Sequence, residues 1–170
     1  TLKESKPVYA LINDVGASGA FWIAMSADKV YTSKMSQIGS IGVTSAGLSF
    51  ENFIKDWNIT YRKQTAGELK DIGSPYREPS QEEKEIIQKI LDEIHEEFII
   101  HVAKARNMEY ETVKEYATGV IFLGSTGMEA GFVDEIGYYP DVLKDLRNEV
   151  GNETIVVSYG PIPTLFEELG

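Results

Sequence analysis

The sequence predicts an α/β domain built on a largely parallel sheet, and three observations lead there. Short apolar runs bounded by turn residues recur along the chain, as in "VYALI" (8–12) and "KVYTS" (29–33). Segments with helical apolar spacing lie between and after them, the longest beginning near Ser80. Strands separated by helices favour parallel pairing, because the crossover returns the chain to the same end of the sheet. With 170 residues, 42% hydrophobic and 25% charged, the chain is long and apolar enough for a single domain over residues 1–170.

Taken in order, residues 8–12 follow Pro7 as a buried strand, and "NDVG" (13–16) supplies the turn after it. A helix from about Ser18 then offers Phe21, Trp22, Ile23 and Met25 to a core. The strand at 29–33 precedes "QIGSIGV" (37–43), which carries too much glycine for a regular element and implies a close backbone approach. Helical spacing over 48–58 gives way to strand-like alternation over 59–65. Gly67, Gly73, Pro75 and Pro79 then punctuate a loop over 66–80.

Ser80 with Glu83 three residues on is a capping-box pattern, and it opens a long helix reaching about Arg106. Ile86, Ile87, Ile90, Leu91, Ile94, Phe98 and Val102 keep one side of that helix apolar. His95 and His101 both lie on it, six residues apart; metal ligands on one face would be four apart, so both are expected to be structural or solvent-facing. Helical segments at 110–117, 125–131 and 141–150 and strand-like ones at 132–136 and 154–159 complete the chain.

Composition removes several classes of function. A net charge of −11, without a basic patch, argues against a nucleic-acid partner. With no cysteine there is no disulfide, thiolate metal site or thiol nucleophile, and no metal or cofactor is expected. No apolar run is long enough to cross a bilayer, so these residues are expected to be soluble.

The chemistry on offer centres on "DVGASGAFWIA" (14–24). A serine at a strand-to-helix turn can present its hydroxyl outward while the following amides face a developing oxyanion. The competing role for Ser18 is a plain helix cap, with Gly16 and Gly19 serving the turn. The two histidines sit far along the sequence on one helix, which leaves lysine as the base for any nucleophilic serine, provided its amine is neutral. Lys70 lies in the 66–80 loop beside Leu69 and Ile72, but Glu68 and Asp71 would raise its pKa unless they point elsewhere. On residues alone both roles for Ser18 stay open.

The stretches "GASGAFWIAMSADKVY", "QIGSIGV", "ELKDIGSPYREPSQEEK" and "GFVDEIGYY" resemble the signal peptide peptidase A (protease IV) family, Ser-Lys peptidases of the ClpP/crotonase superfamily. The resemblance runs from about Pro7 to Leu146. It implies Ser18 as nucleophile and Lys70, 52 residues on, as general base. It also implies that Ser40 orients the lysine and that the Gly19 amide belongs to the oxyanion hole. The implied fold has repeated β-β-α units, a largely parallel sheet and a long helix after the lysine loop. This chain would be the C-terminal part of the family domain, without the family's N-terminal portion and membrane anchor.

The implied activity is endopeptidase cleavage of remnant signal peptides, or other extended apolar peptides, through an acyl-enzyme. The implied assembly is a homo-oligomeric ring or dome in which serine and lysine can come from neighbouring subunits. The implied location is a membrane-anchored full-length protein with its catalytic domain outside the cytoplasm. One departure is Gly19-Ala20, where the family has two glycines. The alternatives are a stomatin-partnered membrane Ser-Lys peptidase, whose lysine lies closer to its serine, and a catalytically incomplete fragment serving as an assembly module.

Overall fold

The first four strands alternate between two sheets in the computed structural model, which describes residues 2–160. The expected domain spans 1–170; residues 1 and 161–170 lie outside the described residues. After a short 3-10 turn (Leu2–Glu4) the elements are β1 (Tyr9–Ile12), β2 (Val15–Ala17), α1 (Gly19–Met25), β3 (Lys29–Thr32), β4 (Gln37–Gly39) and α2 (Glu51–Asp56). They continue with α3 (Gln81–Arg106), α4 (Tyr110–Tyr116), β5 (Ile121–Leu123), α5 (Gly124–Glu129), β6 (Glu135–Ile136) and α6 (Tyr139–Val150). One three-stranded sheet has the order β1-β3-β6, all parallel; the other has β2-β4-β5, with β2 parallel and β5 antiparallel to β4. The fold is therefore α/β with mostly parallel pairing, as the alternation of segments predicts.

The core lies where α1, the second half of α3, α4 and the two sheets meet. Phe21, Met25, Val30, Ile38, Ile41, Val102, Val113 and Phe132 are fully buried there. Phe132 sits among three other rings, edge-on to Phe21 and Tyr116 and tilted against Phe122. Such packing fixes ring orientation as well as burying area. Helix α1 faces this core with Phe21, Ala24 and Met25. Ile23, expected inside, is 74% exposed, because at about 100° per residue it falls on the opposite side from Phe21 and Met25.

Several other expectations are corrected. The "QIGSIGV" segment does form a regular element over its first three residues, since β4 pairs with β2 and β5. The predicted close approach is present as well: a Cβ on Gly39 would lie 2.3 Å from the Phe122 ring, and one on Gly42 would lie 2.9 Å from the Gly119 Cα. Only Asn13 and Asp14 separate β1 from β2, so half of the predicted "NDVG" turn is strand. Residues 59–65 and 154–159 belong to no strand; alternation alone does not make one when no neighbouring edge is available to pair with.

The capping box at α3 is present, with the Ser80 side chain accepting from the Glu83 N–H at 3.1 Å and the Glu83 carboxylate accepting from the Ser80 N–H at 2.7 Å. Its apolar stripe is buried only in the second half, through Phe98, Ile99, Val102 and Ala103, whereas Ile90 and Ile94 are exposed. Between residues 42 and 82 no residue is buried. This segment forms an arm carrying α2, with Leu48, Phe53, Trp57 and Ile59 exposed.

Candidate active site

Ser18 stands where β2 ends and α1 begins. Its N–H donates to the Gly39 carbonyl at 2.8 Å, continuing the β2–β4 ladder by one residue. Its backbone is at φ 54° and ψ −124°, a conformation that side chains other than glycine rarely adopt. Although Ser18 occupies the N-cap position of α1, its side chain makes no capping hydrogen bond, so the plain helix-cap role does not describe it. Gly16 permits this tight path, since a Cβ there would lie 2.7 Å from the Ile12 side chain.

Ser18 lines a cleft of about 640 Å³. Ser40 and Gly42 to Ser45 line it too, with Gln88, Leu91, Asp92 and His95 of α3 and with Ala117 to Gly119. Ser40 also has a positive φ, of 52°. Its N–H donates to the Val120 carbonyl at 3.0 Å while the Gly119 N–H donates to the Ile41 carbonyl at 3.1 Å. Ser18 and Ser40, at the ends of β2 and β4, thus line one cleft. Gly19 follows as the first residue of α1, where an amide has no intrahelical acceptor; it does not itself line the cleft.

Lys70 is elsewhere. It lies in a run of turns closed by its own N–H to the Gly67 carbonyl (3.2 Å) and the Ile72 N–H to the Leu69 carbonyl (3.1 Å). It is exposed and does not line the cleft of its own chain. The carboxylate beside it is engaged away from it: Asp71 accepts from Arg77 Nε at 3.0 Å and from Lys63 Nζ at 2.6 Å. Those two cations, Arg77 first, hold the Asp71 carboxyl well below the usual carboxylate range.

Arg77 also grips Glu83, through Nη1 at 2.7 Å and through Nη2. This guanidinium, together with the Ser80 N–H, lowers the Glu83 carboxyl to about 2. A carboxyl lowered on folding stabilises the fold at pH values above its unfolded pKa, and that contribution is lost as pH falls through the folded value. Hydrogen-exchange protection of the first turn of α3 is therefore expected to fall as pH drops from about 4.5 towards 2 while the core strands stay protected. Equal loss in both regions would contradict this.

The two histidines behave as expected, with one addition. His101 stacks on Trp22 (ring centroids 4.5 Å apart) and bonds its carbonyl at 3.0 Å. His95 donates from Nε2 to the Ala117 carbonyl at 2.9 Å, joining two parts of the cleft lining. What sequence reasoning missed is that α3 lines the cleft. Of the apolar stripe only Leu91 lines the cleft, beside the polar Gln88, Asp92 and His95, so the stripe did not signal it. Among the described residues no three His, Asp or Glu side chains converge as metal ligands, and no helix is long and apolar enough to cross a membrane.

Residues 1–153 match the model of peptidase family S49. The chain is 37% identical over 143 residues to the "Putative signal peptide peptidase SppA" of Enterococcus faecium, covering 84% of this chain and 42% of that protein. It is 36% identical over 161 residues to a "Putative protease" of Methanocaldococcus jannaschii, covering 94% of this chain and 51% of the other. With "Protease 4" of Haemophilus influenzae it shares 31% identity over 143 residues, covering 83% and 23% respectively. The chain spans about half, or less, of the length of these relatives. A family match across nearly the whole chain, on a strand-to-helix serine that lines a cleft, leads to one conclusion: the chain belongs to peptidase family S49.

Proposed function

We propose that the whole protein is a serine endopeptidase in which Ser18 attacks the peptide carbonyl and Lys70 is the general base. The observation that carries this is the strained Ser18 turn, which sets a serine with no capping hydrogen bond at the lining of a cleft. In the first step Lys70 Nζ takes the hydroxyl proton, Oγ bonds to the carbonyl carbon, and the amine leaves with a proton returned by Lys70. Lys70 then takes a proton from water, the hydroxide displaces Oγ, Lys70 returns the proton to Oγ, and the acyl group leaves as a carboxylic acid. The Gly19 amide stabilises the oxyanion, and Ser40 orients the lysine.

The relatives' names, signal peptide peptidase and protease, support remnant signal peptides or other extended apolar peptides as substrate. The alternation of strands between two sheets, with the long α3 after the lysine loop, supports the ClpP/crotonase fold. Membrane attachment of the full-length protein, with its catalytic domain outside the cytoplasm, rests on the family resemblance.

The proposal extends to assembly. Lys70 rides on an arm with no core of its own and with Leu48 and Trp57 at least 70% exposed, so we place it in the cleft of a neighbouring copy within a homo-oligomer. The test is fluorophosphonate labelling of the full-length assembly. Wild type is expected to label, and Ser18→Ala and Lys70→Ala are expected not to. Equal mixing of the two variants before assembly is expected to recover about a quarter of wild-type labelling, the fraction of Ser18–Lys70 pairs left intact across randomly mixed neighbours. No recovery would place both groups in one chain. Undiminished labelling of Lys70→Ala would remove lysine as the base.

A further inference from the structure

Glu83 is the one buried charged residue among the described residues, at the end of an arm that buries nothing else. A carboxylate removed from water needs donors of its own. It has the Ser80 N–H and both terminal nitrogens of Arg77. The same guanidinium turns Nε to the Asp71 carboxylate and Nη2 to the Asp71 main-chain carbonyl, 3.3 Å away, while Nη1 also reaches the Glu78 carbonyl at 3.2 Å. One planar fork therefore holds residue 71 by side chain and main chain together and ties it to the first turn of α3. The second half of that helix is anchored in the core.

The residue immediately before Asp71 is Lys70. We infer that Arg77 is the positioning residue for Lys70: it fixes the main chain beside the lysine and takes up the charge of Asp71, which would otherwise hold the amine protonated. The inference rests on Lys70 being the general base and goes further, by assigning the lysine's setting to a residue seven positions on. The charged groups around that turn are Glu68 and Asp71, which favour the ammonium, and Lys63 and Arg77, which oppose it, with Glu83 behind Arg77. A lysine at position 77 would keep the charge but could not reproduce the fork, since an ammonium is a point donor without the planar geometry.

The measurement is the pH dependence of kcat/KM on a fluorogenic peptide, using the full-length assembly. Arg77→Met exposes Lys70 to Asp71, so the midpoint of the acid limb is expected to rise by about 0.5–1 pH unit. Asp71→Asn removes that carboxylate, leaving Lys63 without its partner and Arg77 paired with Glu83 alone, and is expected to move the same midpoint down. The double variant returns it close to wild type, and Arg77→Lys keeps the midpoint while lowering kcat/KM about tenfold through lost positioning.

A merely structural Arg77 would change amplitude and leave every midpoint in place, and that result overturns the inference. If Arg77→Met does not fold, Asp71→Asn and Arg77→Lys carry the test alone, and a midpoint that Asp71→Asn leaves fixed or moves up is equally decisive against it. Failure here is distinct from failure of the dyad, which shows instead as undiminished fluorophosphonate labelling of Lys70→Ala.

Discussion

Ser18→Gly is expected to lower peptide hydrolysis by about 10⁴-fold or more and, at the same time, to make the protein more stable by about 1 kcal/mol. The loss follows from removing the hydroxyl of a serine that lines the cleft. The gain follows from the backbone, because φ 54° with ψ −124° costs a serine on the order of 1–3 kcal/mol and a glycine almost nothing. Part of that gain is offset by the larger unfolded-state freedom of glycine. Ser18→Ala separates the two effects: it loses the hydroxyl but keeps the Cβ, so activity falls as far while stability stays within about 0.5 kcal/mol of wild type. Urea unfolding of the three proteins reads the difference. A glycine variant no more stable than the alanine variant would mean that the turn stores no strain.

Gly39→Ala is the second large effect, expected at about 2–4 kcal/mol of destabilisation. Gly39 has φ +84°, and a Cβ there would lie 2.3 Å from the Phe122 ring, in the middle of the aromatic cluster. The left-handed backbone and the displaced ring each contribute. Because the Gly39 carbonyl accepts the Ser18 N–H, the substitution also disturbs Ser18, and fluorophosphonate labelling is expected to slow about tenfold or more. Combining it with Phe122→Leu relieves the ring contact and leaves the backbone cost, so the pair should be less destabilising than the sum of the two single changes. Strict additivity would show that the ring is not what the new methyl group meets.

Both positions show what a sequence can and cannot disclose. The small residues around Ser18 and the glycines of 37–43 announced close backbone approach, and close approach is what Gly16, Gly39 and Gly42 provide. The capping box at Ser80 and Glu83 was readable because it is local, made within four residues. Strands β2 and β5 were not readable, since three residues carry too little pattern and their pairing partners lie far off in the chain. For the same reason the face of α3 that lines the cleft could not be told from the face that fills the core. The escape of Asp71 from Lys70 was legible only as a requirement; its means, Arg77 reaching two carboxylates at once, depends on the folding of the turns between them.

The arm between residues 42 and 82 buries nothing, and this divides the molecule into two parts that answer to different tests. Substitutions around Phe132 register at once as a lower melting temperature. Changes at Leu48 or Trp57 leave the melting of an isolated chain nearly untouched, because these side chains do not contribute to its core. A collection of variants screened by thermal unfolding would therefore accept lesions at the arm's exposed side chains as harmless, Lys70 among them. Sequence drift at these exposed positions can proceed with little toll on folding.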